Sequence, residues 1–139
     1  MTIDIRTEIP SPAAIVELYR SVGWSAYTDD ADRLVAAVAA SHRVFTAWSA
    51  DAELIGLART VSDGLTIAYL QDILVAPQHQ RGGIGGALLD AVVAASSGIR
   101  QLVLLTDDAP AQRAFYESRG FTEAHDVAPR ALRSFVRLR

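Results

Sequence analysis

Four glycines within five residues, at positions 82–86, lie between a strand-like run and a helix-like run. Residues 65–75 before them read as a strand, and residues 87–93 after them read as a helix with one buried face. Glycine lets successive backbone N–H groups turn toward one concavity, and the start of a helix adds partial positive charge. The pattern therefore predicts a strand–turn–helix unit that binds an anion such as a pyrophosphate. A glycine turn without a ligand is the alternative.

Two common phosphate-binding loops do not fit this segment. A dinucleotide-binding fingerprint needs glycine or alanine three positions after Gly85, and Leu88 stands there. A Walker A loop needs Gly-Lys-Ser/Thr, and the chain has no lysine, since all 13 of its basic residues are arginine. Both kinds of loop are excluded.

The chain reads as one domain, residues 1–139, because no repeat, low-complexity tract or charge block divides it. Helices are predicted from Pro12 to Gly23, from Asp29 or Asp30 onward, over residues 87–93 and from Pro110 to Gly120. Strands are predicted at residues 2–8, 43–48, 53–61, 65–75, 101–106, 121–123 and 131–138. The order β-αα-βββ-α-β-α-ββ indicates an α/β (α+β) fold with a mixed, mostly antiparallel central sheet flanked by helices. The continuously apolar strand at residues 101–106 is expected to be buried on both faces.

Composition excludes several classes of chemistry. Without cysteine the chain has no disulfide framework, thiolate nucleophile or iron–sulfur cluster, and without lysine it forms no Schiff base. A net charge of −3 argues against nucleic acid as a partner. The three histidines, His42, His79 and His125, lack metal-ligand spacing, so no metal is expected. Neither a membrane span nor a signal peptide is recognisable, which predicts a cytoplasmic protein without a membrane partner.

Three motifs on successive elements point to one family. The first is Gln80-Arg81-Gly82-Gly83-Ile84-Gly85, which matches Gln/Arg-x-x-Gly-x-Gly/Ala. Upstream of it stands Ile73-Leu74-Val75-x-Pro, and downstream stands Ala111-x-x-Ala114-Phe115-Tyr116-Glu117-x-x-Gly120-Phe121. On these motifs the chain resembles the GNAT superfamily of acyl-CoA-dependent N-acyltransferases, as a small single-domain member of bacterial type. The resemblance is strong from about residue 43 to residue 124, and the predicted order of elements agrees with that fold.

The resemblance implies acetyl-CoA as the co-substrate and no metal. Its pyrophosphate would lie on the turn formed by Gln80, Arg81, Gly82, Gly83, Ile84, Gly85 and Gly86. The pantetheine arm would pair like an extra strand with Ile73 and Val75, and the central strand must then splay from the next one. A backbone N–H near Leu74 or Val75 would stabilise the oxyanion. Many relatives carry asparagine where this chain has Ala109, so that pantetheine contact is either absent or made differently, by Thr106 or Asp108.

Two side chains are candidates for the chemistry. Tyr116 aligns with the family's general acid, which protonates the departing thiolate, and the alternative is an aromatic residue that fills the groove between helix and sheet. Asp72 lies two residues before Leu74 on the central strand, so the two side chains share a face. Its carboxylate is a candidate general base or a partner for the substrate ammonium group. The alternative is a strand carboxylate satisfied by a neighbouring arginine or by backbone.

The resemblance implies that the loop at residues 24–28, between the first two helices, walls the acceptor pocket. Trp24 and Tyr27 would contact the amine or enclose a cation there, unless they anchor the loop to the core. The predicted activity is transfer of an acetyl group to a primary amine of a small molecule or peptide, by direct attack in a ternary complex. A non-catalytic acyl-CoA sensor and a donor with a longer acyl chain are alternatives. The sequence leaves a homodimer open.

Overall fold

The computed structural model describes residues 3–139, and Thr2 of the first predicted strand lies outside that range. Short 3-10 turns occupy Pro77–His79 and Ala124–Asp126. In chain order the other elements are β1 (Asp4–Arg6), α1 (Pro12–Ser21), α2 (Ser25–Thr28), α3 (Ala31–Ala39), β2 (Arg43–Trp48), β3 (Leu54–Ser62), β4 (Ile67–Val75), α4 (Ile84–Ala95), β5 (Gln101–Leu104) and α5 (Pro110–Glu117). The chain divides into two compact units, an N-terminal one that ends at Leu105 and a C-terminal one at Thr106–Arg139. The single domain stays a prediction.

The N-terminal unit contains a five-stranded sheet in the order β1-β2-β3-β4-β5. The first three pairings are antiparallel and the β4–β5 pairing is parallel, which confirms the mixed, mostly antiparallel sheet. The turn between β3 and β4 forms at Asp63 and Gly64, in the gap between the predicted strands at residues 53–61 and 65–75. The Asp63 carboxylate accepts hydrogen bonds from the N–H groups of Leu65 and Thr66, both at 2.8 Å, and Gly64 has a φ of 81°. Only glycine adopts that conformation without strain.

Two of the helices, α1 and α3, begin directly after a residue whose side chain caps them. The Ser11 hydroxyl accepts a hydrogen bond from the Ala14 N–H at the start of α1, and the Asp30 carboxylate accepts one from the Arg33 N–H at the start of α3. Between them, at residues 24–28, a loop was predicted. The structure has the short helix α2 there, a single turn without a side-chain cap. The buried core between these helices and the sheet includes Ile15, Leu18, Tyr19, Leu34, Val38, Val44, Leu57 and Leu74.

The prediction that the strand at residues 101–106 is buried on both faces is wrong for β5. It is only four residues long, and Gln101 and Val103 are exposed whereas Leu102 and Leu104 are half-buried. Burial on both faces was therefore the wrong expectation. The physical reason is position: β5 is the last strand of the sheet and pairs only with β4 among the described residues.

A second prediction, of two strands in the C-terminal unit, was also wrong. Strands were predicted at residues 121–123 and 131–138, and neither segment forms one. After α5, the Phe121 N–H donates to the Tyr116 carbonyl and so closes the helix end, and residues 124–126 then form a 3-10 turn. A strand exists only where a neighbouring strand accepts its backbone hydrogen bonds. In the described residues no strand is paired with either segment. None of the helices in residues 3–139 has the length and apolar character needed to cross a bilayer.

Candidate active site

β4 pairs with β5 along only half of its length. The parallel ladder joins Ile67–Leu70 to residues 101–104, and within residues 3–139 no strand pairs with that edge of β4 beyond Leu70. The Ala76 N–H donates to Ile55 on β3 at 2.8 Å. Because backbone groups alternate in direction along a strand, the N–H and C=O groups of Ile73 and Val75 are directed to the open edge. This half of β4 therefore has the open edge that the expected pairing with pantetheine requires.

A bulge marks the point where β4 leaves β5. The register on β3 passes from Arg59 opposite Asp72 to Thr60 opposite Leu70, so Gln71 has no partner on β3. Strict alternation would put Gln71 and Asp72 on opposite faces. The bulge instead lets both side chains reach Tyr27, as the hydrogen bonds below show.

The glycine-rich turn joins β4 to α4. Gly83 precedes the helix with a φ of 83°, and Arg81 has a φ of 66°. The Ala87 N–H donates to the Gly83 carbonyl at 3.0 Å as the first bond of the helix, so the N–H groups of residues 84–86 precede the helical ladder. The turn thus brings backbone donors and the positive end of a twelve-residue helix to one place.

Two side chains hold this turn in shape. The Gln80 amide donates to the Val75 carbonyl at 3.1 Å and links the turn to the end of β4. Ile84 is buried, and its side chain together with Leu88 lies 3.0 to 3.2 Å from the position that a Cβ on Gly56 would occupy. β3 and α4 therefore approach closely beneath the turn, while Arg81, Gly82 and Gly83 above it are exposed.

Asp72 lies at the centre of a buried polar network. One carboxylate oxygen accepts from the Arg59 guanidinium at 2.6 Å and from the Tyr19 hydroxyl at 2.9 Å. The other accepts from the Tyr27 hydroxyl at 2.7 Å, and that hydroxyl in turn accepts from the Gln71 amide at 2.9 Å. Asp72 is 4% and Arg59 5% exposed. The ion pair thus joins β3 to β4, and the two phenol donors join the Asp72 carboxylate to α1 and α2.

The electrostatics of the network keep both phenols protonated. Burial, followed by the Asp72 charge, raises the pKa of Tyr19 far above its usual value. Burial also raises the pKa of Tyr27, and the Asp72 carboxylate adds to the effect. Burial by itself lowers the pKa of Arg59. The attraction and hydrogen bond of the Asp72 carboxylate outweigh that effect, so the pKa of Arg59 is raised.

Trp24 and Tyr27 pack as an aromatic cluster with Tyr19. The ring centroids lie 5.9 Å apart for Tyr19 and Trp24, 5.4 Å for Tyr19 and Tyr27, and 6.2 Å for Trp24 and Tyr27. The Arg59 guanidinium lies 5.9 Å from the Tyr27 ring centroid. Both predicted acceptor residues are half-buried against the core, so they anchor the segment and still present part of their surface.

Tyr116 and Thr106 belong to the C-terminal unit. Tyr116 is buried on α5 between the edges of two other rings, with its centroid 5.0 Å from Phe115 and 5.7 Å from Phe121. Burial and then the Asp107 charge raise the pKa of its phenol. Thr106 is exposed, two residues beyond β5.

Comparison with known proteins identifies the family. Residues 30–123 match the family model of the acetyltransferase (GNAT) domain, which is more than half of the chain. The chain belongs to the GNAT acetyltransferase family.

Relatives of this GNAT chain agree with the assignment. It is 32% identical over 111 residues to the uncharacterized N-acetyltransferase ycf52-like of Prochlorococcus marinus, covering 76% of this chain and 59% of the relative. A GNAT acetyltransferase from Streptococcus pneumoniae gives a TM-score of 0.80 at 28% identity, covering 99% of this chain and 100% of the other. AAC(6')-Iy, in complex with the bisubstrate analog CoA-S-monomethyl-acetylneamine, shares the fold with a TM-score of 0.74 at 20% identity, covering 100% of this chain and 99% of the other. For the first curated relatives, the part that matches this chain covers only 18% to 59% of the relative's own length.

Sequence reasoning missed three members of the polar network in this GNAT domain: Tyr19, Arg59 and Gln71. Arg59 carried a readable signal, because a lone arginine within an apolar strand run must find a buried partner. Tyr19 fits the apolar spacing of α1 and is fully buried, so the spacing predicts a core residue and does not reveal the hydrogen bond of its hydroxyl. Gln71 carried no signal, since only the bulge turns it toward Tyr27.

Proposed function

We propose that this chain is an N-acetyltransferase that moves the acetyl group of acetyl-CoA to a primary amine of a small molecule or peptide, by direct attack in a ternary complex. The proposal rests on one observation in the N-terminal unit: two features suited to ligand binding, a strand edge and a turn, follow each other directly. The open edge of β4 leads directly into the turn whose backbone N–H groups precede α4. An extended amide-containing arm and a pyrophosphate are the ligand parts that such a path accepts.

The residues present fit acetyl-CoA in their donor chemistry. Gln80, Arg81, Gly82, Gly83, Ile84, Gly85 and Gly86 would hold the pyrophosphate through the backbone, with the exposed Arg81 side chain adding charge. Ile73 and Val75 would pair with the pantetheine amides. Of the two oxyanion donors expected from the sequence, we favour the Val75 N–H, because alternation directs the Leu74 N–H toward β3.

Asp72 is assigned a positioning role in this proposal. Its two oxygens already accept three short hydrogen bonds, one of them from a buried guanidinium. The observed network matches the alternative in which the carboxylate is satisfied by a neighbouring arginine. Through Tyr27 it would hold the acceptor segment at residues 24–28 beside the acyl-binding strand, with Trp24 and Tyr27 as substrate contacts.

Tyr116 is proposed as the general acid. In the reaction the neutral amine nitrogen attacks the thioester carbonyl, the C–N bond forms and the C–S bond breaks. The leaving thiolate takes the Tyr116 proton, the nitrogen releases one proton to solvent water, and water returns a proton to the phenolate. A phenol whose pKa is raised by burial keeps its proton at neutral pH and so has one to donate. Thr106 is proposed to contact the pantetheine arm in place of the absent asparagine.

The test is calorimetric titration with acetyl-CoA, followed by thiol release over a panel of primary amines. We expect binding, and release above the hydrolysis background with one class of amine. Gly83→Val should lose most of the binding, because a β-branched residue is strained at a φ of 83° and would obstruct the turn. Gly98→Val is the matched control, since nothing lies within 4 Å of a Cβ there.

Each outcome has a defined meaning. Near-normal affinity in a folded Gly83→Val variant would refute the pyrophosphate site. Binding without release for any amine would favour the non-catalytic acyl-CoA sensor. Faster thiol release with a longer acyl-CoA than with acetyl-CoA would show that the donor is the longer acyl-CoA. The proposed pyrophosphate and pantetheine contacts would remain the same.

A further inference from the structure

Gln71 contacts both halves of the proposed site within the N-terminal unit. Its backbone lies at the bulge of β4, directly after Leu70, where the pairing with β5 ends and the open edge begins. Its side-chain amide donates to the Tyr27 hydroxyl at 2.9 Å, in the proposed acceptor segment at residues 24–28. The side chain therefore lies where the proposed acyl-binding edge meets the proposed acceptor segment.

The hydrogen-bond chain from Gln71 to Asp72 has a fixed direction. The Asp72 carboxylate is ion-paired with Arg59 and can only accept, so the single hydroxyl proton of Tyr27 goes to it. The Tyr27 oxygen then offers only lone pairs, and Gln71 must supply an N–H. Because the oxygen and the nitrogen of an amide diverge from one carbon, the Oε1 of Gln71 is directed away from Tyr27.

The Oε1 of Gln71 is available as a hydrogen-bond acceptor. No residue within 3–139 donates a hydrogen bond to this oxygen. An amide oxygen is uncharged, so it accepts an N–H from a neutral amine as well as from an ammonium group. A carboxylate would instead stabilise the ammonium form and retain the proton that must leave before the attack. The amide of Gln71 is therefore suited to an amine in its reactive, neutral form.

We propose that the Oε1 of Gln71 accepts a hydrogen bond from the amino group of the acceptor and so orients its nitrogen toward the thioester. The inference rests on the proposed function, because it requires acetyl-CoA on the open edge of β4. One N–H of the neutral amine donates to Gln71, and the lone pair of the nitrogen stays free for the acyl carbon. Fixing the orientation of the two reacting groups lowers the barrier without a proton transfer to Gln71. Tyr27, itself bound to Asp72, holds the amide in this orientation.

The charged and titratable side chains around Gln71 in the N-terminal unit belong to the network already described. They are Tyr19 on α1, Tyr27 on α2, Arg59 on β3 and Asp72 on β4. Burial raises the pKa of both phenols, and despite burial the Asp72 carboxylate raises the pKa of Arg59. The two phenols and the guanidinium therefore keep their protons near neutral pH and add no step to a pH profile there.

Two substitutions separate the two ends of the Gln71 amide. Gln71→Met removes the donor to Tyr27 and the acceptor oxygen together, whereas Gln71→Glu keeps an acceptor oxygen but cannot donate to Tyr27. With an amine identified by thiol release, Gln71→Met should raise the KM for that amine about fivefold to tenfold, the loss expected for one hydrogen bond. The dissociation constant of acetyl-CoA, measured by calorimetry, should stay unchanged.

Gln71→Glu should recover most of the KM for the amine, because an oxygen still accepts from its N–H. The rising limb of kcat against pH should move up by about one unit, because a carboxylate beside the amine stabilises the ammonium form. Gln101→Met is the matched control and should leave both values unchanged, since Gln101 pairs with Ile67 at the end of the β4–β5 ladder away from the bulge.

The outcomes separate this inference from the proposed function. An unchanged KM in Gln71→Met overturns the inference while the enzyme stays active. So does a Gln71→Glu variant that is as impaired as Gln71→Met and has the wild-type pH profile, because Gln71 would then act only through Tyr27. A wild-type chain that releases no thiol with any amine overturns the proposed function, and the inference with it.

Discussion

Asp72 and Arg59 form the ion pair on which the candidate site depends at the scale of single residues. They face each other across β3 and β4 with 2.6 Å between the Arg59 Nε and an Asp72 oxygen. Both side chains are nearly excluded from water. Breaking such a pair by removing one partner is far more costly than replacing both, because the remaining charge stays buried without compensation.

Asp72→Asn should therefore lower the free energy of unfolding by about 3 kcal/mol, because the Arg59 charge loses its partner. Urea unfolding followed by circular dichroism measures this. The double variant with Arg59→Met and Asp72→Asn should recover most of the loss, because no buried charge remains and the asparagine amide oxygen still accepts from the Tyr19 and Tyr27 hydroxyls. A cost for Asp72→Asn below about 1 kcal/mol would show that water reaches the pair and that it resembles a surface ion pair.

Tyr116→Phe should lower kcat about tenfold to a hundredfold while leaving the dissociation constant of acetyl-CoA nearly unchanged, because it removes only the proton donor. Steady-state kinetics with an amine identified by thiol release, together with calorimetry, separate the two effects. An unchanged rate would return Tyr116 to its alternative role as a packed aromatic residue. Phe115→Leu is a control for packing around the same ring.

At the scale of elements, β4 carries most of the proposed site. Its first half belongs to the sheet, its bulge at Gln71 turns two neighbouring side chains to one face, and its second half keeps an open edge. Helices α1 and α2 are tied to the same strand by the Tyr19 and Tyr27 hydroxyls. One strand thus connects the proposed acyl-binding edge to the proposed acceptor segment.

This attachment should depend on pH in the alkaline range. The folded protein holds Tyr19 and Tyr27 neutral with raised pKa values, whereas in the unfolded chain a tyrosine ionises near pH 10. Above that pH the unfolded state binds fewer protons than the folded state, so stability falls as pH rises. Denaturant unfolding between pH 8 and about 11 should show a shallower decline for the variant with Tyr19→Phe and Tyr27→Phe. Equal slopes would contradict the raised pKa values.

At the scale of the whole molecule, the chain has no disulfide to stabilise it, and its stability rests on packing, hydrogen bonds and ligands. A ligand that binds only the folded state stabilises it by mass action. Because the proposed pyrophosphate turn joins β4 to α4, ligand binding there is coupled to the sheet and to the helix beneath it.

Acetyl-CoA at a hundredfold excess over its dissociation constant should add about 2.7 kcal/mol to the free energy of unfolding. For a domain of this size the corresponding rise in melting temperature is roughly 10 °C. Differential scanning calorimetry of the wild-type chain measures it, and Gly98→Val should show the same rise as the wild type. A folded Gly83→Val variant that shows the full rise would contradict the proposed turn.

Much of the fold was readable from local signals. Ser11 and Asp30 mark the helix starts, Asp63 and Gly64 mark a hairpin, and glycines mark the turn before α4. Each of these residues shapes only the backbone within a few positions of it. The strands predicted at residues 121–123 and 131–138 are absent from the described sheet, because a local pattern such as the alternation at residues 131–138 does not supply a partner strand.

The strand–turn–helix unit at residues 70–86 and the family followed from the order of residues, since a glycine turn between a strand and a helix needs no distant partner. The network around Asp72 followed only from the folded chain. Its members lie up to 53 positions apart, as Tyr19 and Asp72 do. Whether Gln71 joins them depends on a bulge, and a one-residue shift in strand register redirects every side chain beyond it.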